Sequence, residues 1–243
     1  MALILNIESS IDICSVSIAR NGKTLALKES RDKKSHAALL ARFIDELVTS
    51  LSINLSDLDA VAVSKGPGSY TGLRIGVSTA KGILYGTGKK LIGIPTLQVM
   101  VYGVLQKYKD LGSEKNRFLC PMIDARRMEV FTALYTTSNI LFREIAAEII
   151  HPGIFSDILE KNEILFFGNG SDKCKNVIHH PHARFIEGIE PSASWMAELS
   201  EKAFREKQFE DVAYFEPFYL KDFIATIPRK NLFPSAGFQW REN

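Results

Sequence analysis

The sequence is poor in the residues that make most catalytic centres conspicuous. It holds three cysteines, Cys14, Cys120 and Cys174, scattered along 243 residues without metal-ligand spacing. An odd, unclustered set excludes a disulfide framework and reads as buried thiols of a reduced, cytosolic protein. Histidine is scarce too, with five in all. His36 stands alone ahead of an apolar stripe and reads as a helix-start residue. His179, His180 and His182 are interrupted by Pro181 and have no adjacent carboxylate, so they read as an exposed loop rather than a metal site. No Ser/His/Asp set announces a nucleophile, and no metal is expected. Charge of one sign is also lacking. Thirty Lys and Arg against 28 Asp and Glu leave a formal +2, too little for a dedicated nucleic-acid binder with a strongly basic surface. Transient RNA contact inside a complex stays open. No run of about 18 apolar residues exists to span a membrane, and the opening MALILNIESS turns polar too early for a signal peptide. A cytoplasmic protein without a membrane segment is expected.

What is present is strand and helix periodicity, used twice. Residues 3–7 are an apolar run, 13–20 alternate, and Asn21-Gly22 is a hairpin signal before a third strand at 23–29. Ser35 can cap a helix with the stripe Leu40, Phe43, Ile44, Leu47, Val48 and Leu51. A strand at 58–63, a glycine loop, a helix over about 71–85, a strand at 91–94 and a helix from 96 follow. The second half starts again: 118–123 ends in Asp124, and 129–136 and 140–149 form two strands around Thr137-Ser138-Asn139. Weaker signals predict a strand near 164–168 and a helix over 194–207. These patterns predict two α/β lobes, 1–109 and 117–227, with an irregular tail at 228–243. In the turn IDARRMEV, the charges of Asp124, Arg126, Arg127 and Glu129 form either a turn-stabilising network or an anion contact.

The stretch SKGPGSYTGLRIGVSTAKG sits between strand and helix. It fails the P-loop count, because Thr71 or Leu73 stands where the second glycine belongs. It fails the dinucleotide fingerprint as well, since Thr71 takes the last glycine position and no acid ends the next strand at Ile94. A looser anion contact through Gly66, Gly68, Ser69 and Arg74 stays open, because a helix start offers free N–H groups. Gly72, Gly76 and Ala80 recur every four residues on one helix face. Glycine inside a helix costs roughly 1 kcal/mol against alanine, so the stripe predicts close approach by another element, from this chain or from a partner. A glycine loop is expected in the first half only, and Glu8 at the end of the first strand is a lone acid.

The segments ILNIESS, SKGPGSYTGLRIGVSTAKGILYG, MIDARRMEVF and PFYLKDF resemble the TsaB (YeaZ) family over residues 3–223. The resemblance implies the duplicated actin-like, Hsp70-like and sugar-kinase-like fold, of ribonuclease H-like α/β lobes. It implies a non-catalytic subunit that binds and supports the catalytic subunit TsaD in threonylcarbamoylation of the tRNA adenosine beside the anticodon. A TsaE-like ATPase completes that machinery, tRNA is reached through the complex, and the chain pairs with itself when TsaD is absent. No cofactor is implied for the isolated chain, with ATP or ADP left for a shared interface. TsaD carries a related glycine stretch followed by a His-x-x-x-His metal pair. The corresponding positions here are Thr96 and Met100, poor ligands for such a metal, so scaffold is favoured over catalyst and the old glycoprotease label over this family is demoted. The alternative is a small-molecule kinase of the same fold class. The resemblance points to two helices as the partner interface, with His36, Leu40, Phe43, Ile44, Leu47, Gly72, Gly76 and Ala80 as the expected contacts. The chain departs from the family in Glu8-Ser9-Ser10 for Asp-Thr-Ser, Tyr70 for Phe and Lys221 for Arg.

Overall fold

The computed structural model describes residues 2–32, 36–113 and 116–221. The first half runs β1 (Leu3–Glu8), β2 (Cys14–Arg20), β3 (Lys23–Ser30), α1 (His36–Ser50), β4 (Ala60–Gly66), α2 (Tyr70–Thr87), β5 (Lys90–Pro95) and α3 (Thr96–Lys107). The second runs β6 (Arg117–Asp124), β7 (Glu129–Thr136), β8 (Leu141–Ile149), a short α4 (Ser156–Leu159), β9 (Glu163–Phe167), β10 (Ala183–Ile186) and α5 (Ala193–Arg205). Two five-stranded sheets result, ordered β3-β2-β1-β4-β5 and β10-β9-β6-β7-β8. Taken from its other edge, the second order repeats the first. Each sheet is an antiparallel meander of three strands extended by two parallel strands.

Local chemistry explains most elements. All six residues of β1 are buried, as a central strand covered on both faces requires. Asn21 and Gly22 take φ of 54° and 75°, the left-handed pair that a tight hairpin needs. Ser69 caps α2 by accepting from the Gly72 N–H, and Gly88 ends that helix at φ 66°. Ser35 and the tail at 228–243 lie outside the described residues. The sequence reading has no counterpart of β10, whose four residues, three half-buried and Arg184 exposed, are too few to show a period.

The helices are exchanged between the sheets. Leu40, Phe43, Ile44 and Leu47 of α1 and Val77, Ala80 and Leu84 of α2 cover one face of the first sheet. Its other face is covered from the second half of the chain by α5, through Met196 and Ala203. In return Leu97, Met100, Val101 and Val104 of α3 cover the second sheet. Where α3 crosses α5, Gly103 lies under the Trp195 ring, and a Cβ there would overlap it. The remaining face of the second sheet packs on Ile150, Phe155, Leu159, Cys174 and Ile178, from irregular segments around α4.

Candidate functional site

The glycine loop lies where β4 delivers the chain to α2, beside the turn after β1. Its glycines serve that turn. A Cβ on Gly68 would overlap the Ser10 carbonyl, one on Gly72 the Ser9 carbonyl, and one on Gly76 the Ser9 hydroxyl. The Ser69 N–H donates to the Ser10 carbonyl at 2.6 Å, and Ser9 Oγ donates to the Gly72 carbonyl at 2.9 Å. Gly66 takes φ 109°, and its Cβ position faces the Phe218 carbonyl at 2.7 Å. Arg74 is exposed and donates to the Tyr70 hydroxyl at 2.8 Å. Gly66, Gly68, Ser69 and Arg74 are thus gathered at one end of the first sheet. Of the groups expected to meet an anion, the Ser69 N–H and hydroxyl and one nitrogen of Arg74 bond within the chain.

Glu8 is wholly buried. Its Oε1 accepts from the Ser10 N–H at 2.7 Å and from Ser64 Oγ at 3.1 Å, while its Oε2 has no partner. Burial pushes its carboxyl above the usual range, against the opposing pull of the bonds from Ser10 and Ser64. The three cysteines are buried and free. Burial raises Cys14 and Cys174 to about 11 and Cys120 to about 12, so none is poised as a thiolate.

The stripe expected to meet a partner faces inward. Leu40, Phe43, Ile44, Leu47 and Ala80 are buried in the first core, and Gly72 and Gly76 are buried against the β1–β2 turn. This corrects the sequence expectation: each of those large side chains gains about 1.5–3 kcal/mol by burial, and the first sheet claims it. His36 begins α1, and its side chain lies outside the described residues. The surface these helices present is a different set. It comprises Ala37, Ala38, Ala41, Arg42 and Asp45 on α1, and Arg74, Ser78, Gly82, Tyr85 and Gly86 on α2. Tyr85 is 94% exposed, and a Cβ on Gly82 or Gly86 would meet nothing within 4 Å.

The segment after α5, to Lys221, straps the two lobes together. Glu210 bridges to Leu91 along the free edge of β5, which shields that edge. Phe218 N–H donates to the Lys65 carbonyl at 2.6 Å, Tyr219 packs on Tyr70 with ring centroids 5.0 Å apart, and Leu220 joins the second-sheet core. Lys221 then reaches Glu129 and the Ala125 carbonyl in the β6–β7 turn. In this way the segments GPGSYTG, IDARRMEV and PFYLK, distant in sequence, meet in one region.

Sequence reasoning missed a second glycine turn. Gly168 follows β9 as Gly66 closes β4, with φ 103° against 109°, and Gly170 N–H donates to the Met122 carbonyl at 3.0 Å. The expectation of a glycine loop in one half alone is corrected. The signal was the dipeptide-like spacing Gly-Asn-Gly after an apolar run. Thr96 and Met100 are both buried, Met100 within the second-sheet core.

The duplicated sheets and the strap define a two-lobed protein of the actin-like, Hsp70-like and sugar-kinase-like fold class. Comparison with known proteins sharpens this. A model of the TsaD family, tRNA N6-adenosine threonylcarbamoyltransferase, matches residues 29–229. The protein TsaB of tRNA threonylcarbamoyladenosine biosynthesis from Buchnera aphidicola subsp. Schizaphis graminum is 32% identical over 177 residues, 71% of this chain and 81% of the relative. TsaB of Escherichia coli is 28% identical, with 91% and 96% covered. YeaZ from Pseudomonas aeruginosa shares the fold with a TM-score of 0.75 at 19% identity, over 90% of this chain and all of that one. The chain belongs to the TsaB (YeaZ) family, within the wider group that the TsaD model describes.

Proposed function

We propose that the chain serves in tRNA threonylcarbamoyladenosine biosynthesis as a non-catalytic subunit that binds and supports a TsaD-like catalytic subunit. The observation that carries this reading is the state of the β1–β2 turn. A kinase of this fold class needs an acid and free donors at the open end of the first sheet. Here the acid, Glu8, is buried, the Ser9 hydroxyl is spent on α2 and the Ser10 carbonyl on the glycine loop, and the Ser10 N–H donates to Glu8 itself. Thr96 and Met100 supply no pair of ligands for a borderline metal. The TsaB relatives, named for the same biosynthesis, support the pathway.

The docking surface in this reading is the outer face of α1 and α2. Ala38, Ala41, Ser78, Gly82 and Gly86 keep it low, so that helices of a partner approach closely, and Tyr85 supplies an aromatic anchor. The same face pairs two copies of the chain when the catalytic subunit is absent. A TsaE-like ATPase, tRNA, and ATP or ADP at a shared interface complete the cytoplasmic complex. Among the described residues no helix is long and apolar enough to cross a membrane.

Co-expression with the same cell's TsaD-like protein tests the reading. The two chains are expected to co-purify, with threonylcarbamoyl transfer to tRNA by the pair and none by this chain alone. Steady ATP turnover by the isolated chain with a small-molecule acceptor, and no co-purification, would establish the kinase alternative.

A further inference from the structure

We propose that the β6–β7 turn is a phosphate clamp for RNA, with the guanidinium groups of Arg126 and Arg127 as its two contacts; this rests on the reading of the chain as a subunit in tRNA modification. The turn holds two consecutive non-glycine residues in the left-handed region, Arg126 at φ 71° and Arg127 at φ 49°. Such a conformation costs a side-chain-bearing residue of order 1 kcal/mol or more, and persists where its surroundings over-determine it. Here they do. Asp124 Oδ1 accepts from the Arg126 N–H at 2.9 Å, and Ala125 N–H donates to the Glu129 carbonyl at 3.1 Å. Lys173, from the segment after β9, donates to Asp124 and to the Arg127 and Glu129 carbonyls, the latter two at 2.7 and 2.6 Å. Lys221, from the strap after α5, donates to Glu129 and the Ala125 carbonyl.

Two lysines from separate segments therefore fasten the turn, and they also neutralise its two acids. Asp124 and Glu129 are spoken for by Lys173 and Lys221, not by the arginines. Both arginines are exposed, and among the described residues neither guanidinium has an ion pair or ring contact. The turn thus presents two unmatched positive charges on a rigid mount, in a chain whose formal net charge is itself only +2. Guanidinium matches phosphate oxygens in a two-point geometry that lysine cannot supply, and pre-fixing the backbone lowers the ordering cost of the contact. Phosphate contacts of this kind position a nucleic acid without reading its sequence.

The test uses the complex of this chain with its TsaD-like partner, and measures tRNA affinity by fluorescence anisotropy across a salt series. Two double variants are compared with wild type. Arg126→Asn/Arg127→Gly installs the residues that the left-handed region favours. It is expected to melt higher than wild type, to keep the partner, and to bind tRNA at least tenfold more weakly at low salt, with the salt slope reduced by about 2. Arg126→Lys/Arg127→Lys is expected to keep the slope and lose affinity a few-fold. Unchanged tRNA affinity and slope in the Asn/Gly variant overturns the proposal while the subunit reading stands. Loss of the partner by that variant also overturns it, because the arginines would then face protein carboxylates. A lower melting temperature for that variant removes the strain argument and with it the clamp. If the wild-type chains never form a complex, the subunit reading fails first and this inference falls with it.

Discussion

The two lobes share a strand order and differ in what covers it. The first sheet carries two long helices, α1 and α2, on its outer face, and α5 on the inner one. The second carries α3 on its inner face, while its outer face is closed by α4, a helix of four residues, and by irregular chain. Strand order is held by pairing and by the handedness of the crossovers, so a duplicated unit retains it. The covering elements need only supply apolar surface, and they are free to diverge. Among the described residues only the first lobe offers a pair of neighbouring helices with small outward residues, whereas the second offers a fastened, charged hairpin tip. The proposed partner surface and the proposed RNA contact would thus fall on different halves of one duplicated design.

The largest expected effect tests how firmly the first lobe is fixed at its glycine helix. Gly72→Ala drives a Cβ into the Ser9 carbonyl, a backbone atom that cannot turn aside, and should destabilise the chain by about 3 kcal/mol or prevent folding. Gly76→Ala meets the Ser9 hydroxyl instead, a group that Ser9→Ala removes. The double variant should recover most of the loss, so a thermodynamic cycle on these two positions reads a coupling of about 1–3 kcal/mol. Additive losses would show that the turn is not seated on α2.

Next in size is a direct comparison of the lobes. Gly66 and Gly168 end corresponding strands at φ 109° and 103°. Alanine at either is strained by the backbone and meets a carbonyl, of Phe218 in one case and of Met122 in the other. Each substitution should cost about 1–3 kcal/mol by chemical denaturation. A Gly168→Ala chain as stable as wild type would break the equivalence of the two turns.

Much of this was legible in the sequence, and the failures have physical causes. The apolar runs of β1 and β4 and the Asn21-Gly22 hairpin declare themselves because a buried central strand and a left-handed turn each demand particular residues. The α1 stripe was legible as a face, but a period says which residues share a face and not what covers it; the first sheet does. The spacing of Gly72 and Gly76 announced a close approach. It could not say that the visitor was the Ser9–Ser10 backbone rather than another helix. The exchange of α3 and α5 left no trace, since an amphipathic helix carries no mark of which sheet it joins. The charges of IDARRMEV were read correctly as a turn, yet their partners, Lys173 and Lys221, lie 44 and more residues away.

A smaller effect separates the core of the first lobe from the outer face of α1 and α2. Gly82→Leu lies on the open side of α2, where a Cβ meets nothing within 4 Å. Replacing a helical glycine should stabilise the isolated chain by up to about 1 kcal/mol. The same side chain should obstruct a partner helix and weaken binding of the TsaD-like subunit about tenfold, some 1.4 kcal/mol. A chain that melts higher and still co-purifies with unchanged affinity would remove the outer α1–α2 face as the docking surface.

The smallest effect concerns Glu8, which has no buried acidic counterpart in the second lobe: Asp124, at the end of β6, is exposed and paired with Lys173. Burial raises the Glu8 carboxyl above its unfolded value. The folded state therefore holds this proton more tightly than the unfolded state does. Its contribution to stability is fully present below the unfolded value and is lost as pH rises through the folded one. Glu8→Gln keeps an acceptor for the Ser10 N–H and Ser64 Oγ and removes the ionisation. The variant should match wild type most closely in acid and melt progressively higher than it as pH rises above the normal carboxylate range. Parallel melting curves for wild type and Glu8→Gln across that range would mean that the Glu8 site admits water, and that the closed β1–β2 turn, on which the non-catalytic reading rests, opens in solution.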